Sequence, residues 1–331
     1  MTPRYSIGVP TYNQAAYIGA TLDSLLAQRP LPFEIVVSEN HSTDDTAERL
    51  AAYGTRIRVV RPPRHLTMME NWNFLCGELR GDWFTLLSSD DVALPGYVAA
   101  MTRAAARYPQ AVLVRAGYAE MNANGEVQRR KRLHCGREVG FPANFTEQLR
   151  GPRVNFSAYA VQRAAFERAG GFPAELRLFG DWGLWLRLCC YGSFVRADEV
   201  VGAYRGGDDY RRGIAAERFQ LRLNDDRFIY QQIMPATAAR TGLPRVQERL
   251  HDAAHARLYA RLYDLDDKVS DLDRRAALLD SIADWYGAYP DLVALAERLR
   301  TGAALPPRVT GPRWKRVLRP LVVRLLDYWR S

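Results

Sequence analysis

The sequence predicts an α/β fold: a domain on a mixed, mostly parallel sheet, followed by an α-helical region. Three observations carry that prediction. Short apolar, β-leaning runs alternate with segments of helical periodicity over the first hundred residues, which is the rhythm of βαβ units. One of these runs, 84–87, stops abruptly in Ser88-Ser89-Asp90-Asp91, with Pro95-Gly96 soon after. From residue 215 onward the apolar spacing is helical almost to the end.

Taken in order, residues 5–10 read as a first strand, closed by Pro10-Thr11-Tyr12-Asn13. Tyr17, Ile18, Leu22, Leu25 and Leu26 then recur at helical spacing over 16–27. A second strand, 33–37, runs into Ser38-Glu39-Asn40-His41-Ser42-Thr43-Asp44, and Ser42 or Thr43 offers an N-cap to a helix over 46–53. A strand at 56–60, a helix at 66–79 and the strand at 82–87 complete the alternation. Beyond them come a helix at 97–108, a strand at 111–117 and a hairpin turn at Asn122-Ala123-Asn124-Gly125-Glu126. A strand around 195–204 precedes helices at 215–234, 245–265, 272–289 and 291–299. The expected division is residues 1–212 for the α/β domain and 213–331 for the helical region.

Composition narrows the function classes. The 331 residues carry a net charge of +9, which suits an anionic partner. Aromatic and basic residues do not group into a recognised nucleic-acid module, so no nucleic-acid partner is expected. The four cysteines, Cys76, Cys135, Cys189 and Cys190, lack metal-ligand spacing and read as reduced core thiols of a cytosolic protein. The amino terminus enters a strand-like run without a charged leader, and no apolar stretch reaches the length of a spanning helix. The first strand-to-helix turn is not glycine-rich, which leaves dinucleotide and P-loop readings without a motif.

The acids at the end of the fourth strand stand where open α/β sheets bind ligands. Adjacent carboxylates repel, and a cation relieves them most simply. Hard oxygen ligands suit Mg²⁺ or Mn²⁺, which in turn hold phosphate oxygens. The competing reading is a solvated acidic turn.

Together these features resemble the family 2 glycosyltransferases, inverting enzymes with a GT-A nucleotide-sugar-binding fold. The resemblance rests on Val9-Pro10-Thr11-Tyr12-Asn13, the run from Glu34 to Asp44, Asn71-Trp72-Asn73, and Ser88-Ser89-Asp90-Asp91 ahead of Pro95. It implies transfer of a sugar from a UDP-, GDP- or dTDP-sugar to a glycan or lipid-linked acceptor hydroxyl, in cell-surface polysaccharide or glycolipid assembly. Pro10, Thr11, Tyr12, Glu39, Ser89 and Asp90 would bind the nucleotide. Glu39 stands where the family usually has an aspartate on the base, and Arg64 and His65 would reach base or phosphate, the competing reading being solvated loop residues. Asp90 would anchor a divalent cation, with Asp91 beside it. The family's first metal-site acid is here Ser88, and its histidine after the last strand is missing, so Arg205 or Arg211 would contact the diphosphate.

Asp181, in Gly180-Asp181-Trp182-Gly183-Leu184-Trp185, matches the family's general base. A helix N-terminus lowers the pKa of an acid placed there, whereas burial beside Trp182 and Trp185 raises it. The competing reading is a plain N-cap. Asn155, Ser157, Trp182 and Trp185 would face sugar and acceptor. Residues 314–330 interleave apolar and basic side chains, as in a helix lying on an anionic membrane surface at the inner face of the cell membrane. A helix packing on the helical region or on a second subunit is the alternative, and the oligomeric state is left open. Ser88 and the missing histidine also keep alive a catalytically degenerate nucleotide-sugar-binding protein.

Overall fold

The structure, a computed structural model, describes residues 2–206 and 216–308. Its strands are β1 (Tyr5–Thr11), β2 (Glu34–Glu39), β3 (Arg58–Val60), β4 (Trp83–Leu86), β5 (Val92–Ala93), β6 (Ala111–Met121), β7 (Val127–Lys131), β8 (Glu138–Val139), β9 (Tyr159–Gln162) and β10 (Ser193–Arg205). They form one sheet in the order β3-β2-β1-β4-β9-β6-β10-β5, with β7 paired to β6 and β8 to β10. Along that path β9 and β5 oppose their neighbours and the remaining strands run one way, as the pairings require. The mostly parallel expectation holds.

Helices α1 (Ile18–Leu26), α2 (Thr46–Ala51), α3 (Met68–Glu78), α4 (Tyr97–Arg107), α5 (Ala143–Glu147), α6 (Arg163–Ala169) and α7 (Gly180–Leu188) connect the strands. The period of two in each strand sorts the side chains between two layers. Ile7, Val9, Ile35 and Val37 pack with Ile18, Leu22 and Leu25 of α1 and Met101 of α4. On the other face Val36, Phe84 and Leu86 pack with Leu75 of α3, Phe166 of α6 and Trp185 of α7.

The helical region comprises α8 (Ala216–Phe228), a π-helical turn (Ile229–Ile233), α9 (Met234–Ala239), α10 (Pro244–Lys268), α11 (Leu272–Asp280), α12 (Ala283–Tyr286) and α13 (Pro290–Arg300). The helices expected at 215–234 and 272–289 are therefore each interrupted. In the first, Pro235 has no N–H to give to the turn before it, and the ladder widens there. Phe219, Leu223, Tyr230, Leu258 and Leu292 join the same buried cluster as Trp182 and Phe84, so these helices pack on the α3/α7 side of the sheet. No helix among the described residues is long and apolar enough to cross a membrane. Cys76 and Cys189 are buried as expected, but Cys135 and Cys190 are partly exposed; all four are free thiols.

Candidate functional site

The carboxyl ends of β1 and β4 meet in a cleft of about 340 Å³. Pro10, Thr11, Tyr12 and Gln14 form one wall, Asn40 and the segment from His65 to Met68 another, Asn71 and Trp72 a third, and Ser88, Ser89 and Asp90 the floor. Sequence reasoning expected Pro10, Thr11, Tyr12, Ser89 and Asp90 together, and they are.

The motif from Glu39 to Asp44 shapes this wall by binding its neighbour loop. Asn13 donates its N–H to Ser42 Oγ (3.1 Å), Ala15 donates to Asp44 Oδ2 (3.1 Å), and Gln14 donates to Thr46 Oγ1 (2.9 Å). Thr43 N–H returns a bond to Asn13 Oδ1 at 2.7 Å. Asn13 and His41 both sit at positive φ, 53° and 62°, where a tight reversal ends each strand. Asn40 clasps Leu66 by both its amide oxygen and nitrogen, at 2.9 Å each. These bonds leave the Tyr12 ring exposed beside the cleft, 4.6 Å from the His65 ring and tilted 56° to it, with the Tyr12 face suited to a planar ligand. The Thr11 hydroxyl is buried in the cleft wall with no protein partner. Asn71 accepts from Ser38 Oγ (2.6 Å) through its Oδ1, so the remaining polar group of its amide is a donor. Arg64 instead pairs with Glu70.

Glu39 is positioned differently from expectation. The residue is 3% exposed, its carboxylate accepts Ser42 N–H at 2.5 Å and pairs with Arg61 at 3.0 Å, and it is not part of the cleft wall. A longer acid than aspartate reaches past the strand end to its own loop, so its visible role is to fix that loop.

The floor is held from below. Thr21 of α1 donates to the carbonyls of both Ser89 (2.9 Å) and Asp91 (2.7 Å). Arg205, at the end of β10, clamps the same turn from the side. Its N–H donates to Asp91 Oδ1 (2.8 Å), its Nε to the Asp90 carbonyl (2.8 Å), and its Nη1 to the carbonyls of Asn122 and Ala123. The guanidinium also lies 4.6 Å from the Tyr17 ring centre. Arg205 is therefore a clamp on the acidic turn, not a free diphosphate contact. Arg211 and residues 314–330 lie outside the described residues.

Asp91 is likewise corrected. It is 1% exposed, turned under the floor, and burial together with the neighbouring Asp90 pushes its pKa well up. Asp90 lines the cleft, and burial raises its pKa against the opposing pull of Arg205. With the Ser88 and Ser89 hydroxyls it presents an all-oxygen set. Among the described residues no cluster of three His, Cys, Asp or Glu side chains forms a protein-only cage. This donor set fits a hard cation such as Mg²⁺ that takes one carboxylate and fills its remaining positions with water and ligand phosphates.

Asp181 opens α7. The preceding loop is held by Asp225 of α8, whose carboxylate accepts the N–H groups of Arg177 (3.0 Å), Leu178 (2.7 Å) and Phe179 (2.8 Å). Gly180 packs against Met69 of α3, where a Cβ would collide with Met69 Sδ, so α7 starts against the helix that carries Asn71 and Trp72, while Asp181 itself does not line the cleft. Burial raises the Asp181 pKa to about 6, with a further push from Asp225; the bond it accepts from Trp182 N–H (2.7 Å) pulls the other way and loses. Of the two opposed effects expected from the sequence, desolvation wins.

The sugar-facing candidates are the clearest corrections. Trp182 and Trp185 are both 0% exposed. Trp182 donates to the Gln148 carbonyl at 3.2 Å, and Trp185 packs edge-on against Tyr159. The one face they share is the core face. Ser157 is also fully buried and spends its N–H and hydroxyl on Asn155 Oδ1, at 2.9 and 2.6 Å. The tryptophan that does reach the cleft is Trp72, stacked on Phe156 at 4.4 Å with the planes 15° apart. Its signal was the Asn71-Trp72-Asn73 triplet, noted for resemblance but not for a role. Trp182→Phe is expected to cost about 2 kcal/mol of stability through lost packing and the lost bond to Gln148. Thermal melting beside acceptor kinetics checks this, and a raised acceptor KM with unchanged melting would restore the stacking role.

Comparison with known proteins bears on the whole arrangement. Residues 6–169 match the family described as Glycosyl transferase family 2. The uncharacterized protein MT1568 of Mycobacterium tuberculosis is 29% identical over 233 residues, covering 65% of this chain and 72% of that protein. Among solved structures, S. aureus TarS superposes with a TM-score of 0.60 at 18% identity, over 90% of this chain and 53% of TarS, so this chain spans about half of that one. The mannosyltransferase PcManGT of Pyrobaculum calidifontis, solved with GDP-Man and Mn²⁺, gives 0.52 at 21% identity over 90% of this chain and 85% of its own. Residues 6–169 are thus similar to the family 2 glycosyltransferases, on a GT-A sheet with its cleft at the ends of β1 and β4.

Proposed function

We propose that this protein is an inverting glycosyltransferase that moves a sugar from a nucleotide diphosphate to an acceptor hydroxyl in cell-surface glycan or glycolipid assembly. The observation that carries the reading is the cleft itself: the exposed Tyr12 ring beside His65, an unpartnered Thr11 hydroxyl, and Asp90 on its floor. TarS has been solved with UDP-GlcNAc and PcManGT with GDP-Man, which supports a nucleotide-sugar donor in this cleft. The base would stack on Tyr12, and Thr11 and Asn71 would bond to the donor. Asp90 would hold a divalent cation, which when bound neutralises charge on the departing diphosphate. Asp181 would take the proton of the attacking hydroxyl, and its raised pKa suits a base working near neutral pH. The substitution of Ser88 for an acid favours one second reading, a nucleotide-sugar binder that does not turn over.

The test is hydrolysis and binding of UDP-, GDP- and dTDP-sugars with and without Mn²⁺, for wild type and Asp90→Ala. Slow, metal-dependent cleavage of one donor is expected, with a loss of about 10²-fold or more in Asp90→Ala. Donor binding without turnover in the presence of any acceptor would favour the binder. No binding across the panel would overturn both.

A further inference from the structure

Charged side chains in this protein are extensively paired. Arg58 reaches Glu34 and Glu78, and the buried Asp226 takes both Arg257 and Arg261. The arginines around Tyr191 are not paired in this way, and two of them, Arg187 and Arg240, share one cavity. Arg168 and Arg240 both lie over the Tyr191 ring, at 5.3 and 5.4 Å from its centre, and Arg187 stands on the adjoining last turn of α7. Among the described residues none of the three has a carboxylate partner.

Beside them lies a second cavity of about 310 Å³, between the ends of α6 and α7 and the π-helical turn with α9. Its polar wall holds Arg187, Arg240 and Gln232; its apolar wall holds Phe228, Ile233 and Ala236; no acidic residue lines it. The widened turn ahead of Pro235 is what presents Phe228, Gln232 and Ile233 to this space. Two guanidinium groups that line one cavity without a counter-ion repel each other, weakly because Arg240 is exposed, and the half-buried Arg187 is also only partly solvated. An anion relieves both costs. Guanidinium forks match phosphate oxygens in pairs, so phosphate is the chemistry that fits best.

We propose that this cavity is a second binding site, separate from the cleft at Asp90, for a phosphate ester whose organic part rests on Phe228 and Ile233. Arg187 and Arg240 grip the phosphate, and the volume admits a small organic body with it. The phosphate can arrive on a soluble molecule or on a lipid headgroup, and the two sources are separable by experiment.

Cys190 lines the cavity and serves as a local reporter, while Cys135, also partly exposed, serves as the internal control. Alkylation of each thiol by iodoacetamide is followed by peptide mass spectrometry at constant ionic strength, in chloride, inorganic phosphate or glycerol 3-phosphate. A parallel arm compares vesicles of phosphatidylcholine with and without phosphatidic acid. Several-fold slower labelling of Cys190, with Cys135 unchanged, is expected in one or both phosphate arms, and the arm that protects identifies the source. Arg187→Gln and Arg240→Gln should each abolish the protection, and Asp90→Ala should retain it. Equal labelling of Cys190 in all media, or equal protection of Cys135, would overturn the site, and both outcomes are read on the wild-type protein without any variant. Loss of protection in a folded Asp90→Ala protein would overturn its separateness from the cleft.

Discussion

Asp181→Asn is expected to lower sugar transfer by about 10²- to 10⁴-fold, the usual worth of a positioned general base, while donor affinity stays within about twofold of wild type, a change of under 1 kcal/mol. The same substitution is expected to raise thermal stability. In the folded protein the Asp181 pKa is about 6, because burial disfavours the ionised carboxyl. An unfolded aspartate titrates near 3.9. Between these values the folded state keeps a proton that the unfolded state releases, so stability falls as pH rises through that window. Above pH 6 the full cost is present, about 3 kcal/mol for a shift of this size. Asparagine keeps the oxygen that accepts Trp182 N–H and removes the charge, so the cost disappears. The base must be unprotonated to act: transfer in the wild type should rise with pH up to about 6 and level off above it. Turnover at saturating donor across pH 4.5–8, with melting curves for both proteins, checks all three points. A variant that loses activity and also melts lower at pH 7 would mean that Asp181 serves the fold as a cap.

Much of this was legible in the sequence, and the parts that were not share a cause. Period and turn chemistry are local, so the strand and helix alternation, the hairpin at Asn122 to Glu126 and the acid-ended strand could be read along the chain. The cleft residues Pro10, Thr11, Tyr12, Ser89 and Asp90 followed because strand ends in a parallel sheet converge. What sequence could not tell was the direction in which a side chain turns once neighbours from distant segments arrive. Trp182 and Trp185 share a helix face, but only the packed sheet and α8 make that face the interior. Asp91 and Asp90 are adjacent, and Arg205, more than a hundred residues on, turns one of them under the floor. Glu39 matches a motif by position, yet its extra methylene carries its carboxylate to Ser42 and Arg61. The interruption before Pro235 had a local signal, the proline itself, that helical periodicity masked.

Asp225 had no signal at all, and it carries the second large expectation. Its side chain accepts three backbone N–H groups in the loop that delivers Asp181 to the start of α7. Asp225→Ala leaves those partly buried donors without a partner, at about 1 kcal/mol or more each. The expected result is a loss of about 3 kcal/mol or more in stability and a fall in turnover larger than the loss of folded protein explains. Asp225→Asn separates support from charge. The amide oxygen, placed where Oδ2 now sits, can still serve Leu178 and Phe179, so this variant should fold. It removes a negative charge that helps hold the Asp181 pKa up, and the acid limb of the pH–rate profile should therefore move to lower pH. A purely structural carboxylate would leave that limb where it is. Finding the limb unmoved in a folded Asp225→Asn protein would confine Asp225 to holding the loop. A downward shift would mean that the helical region sets the protonation of the base as well as its place.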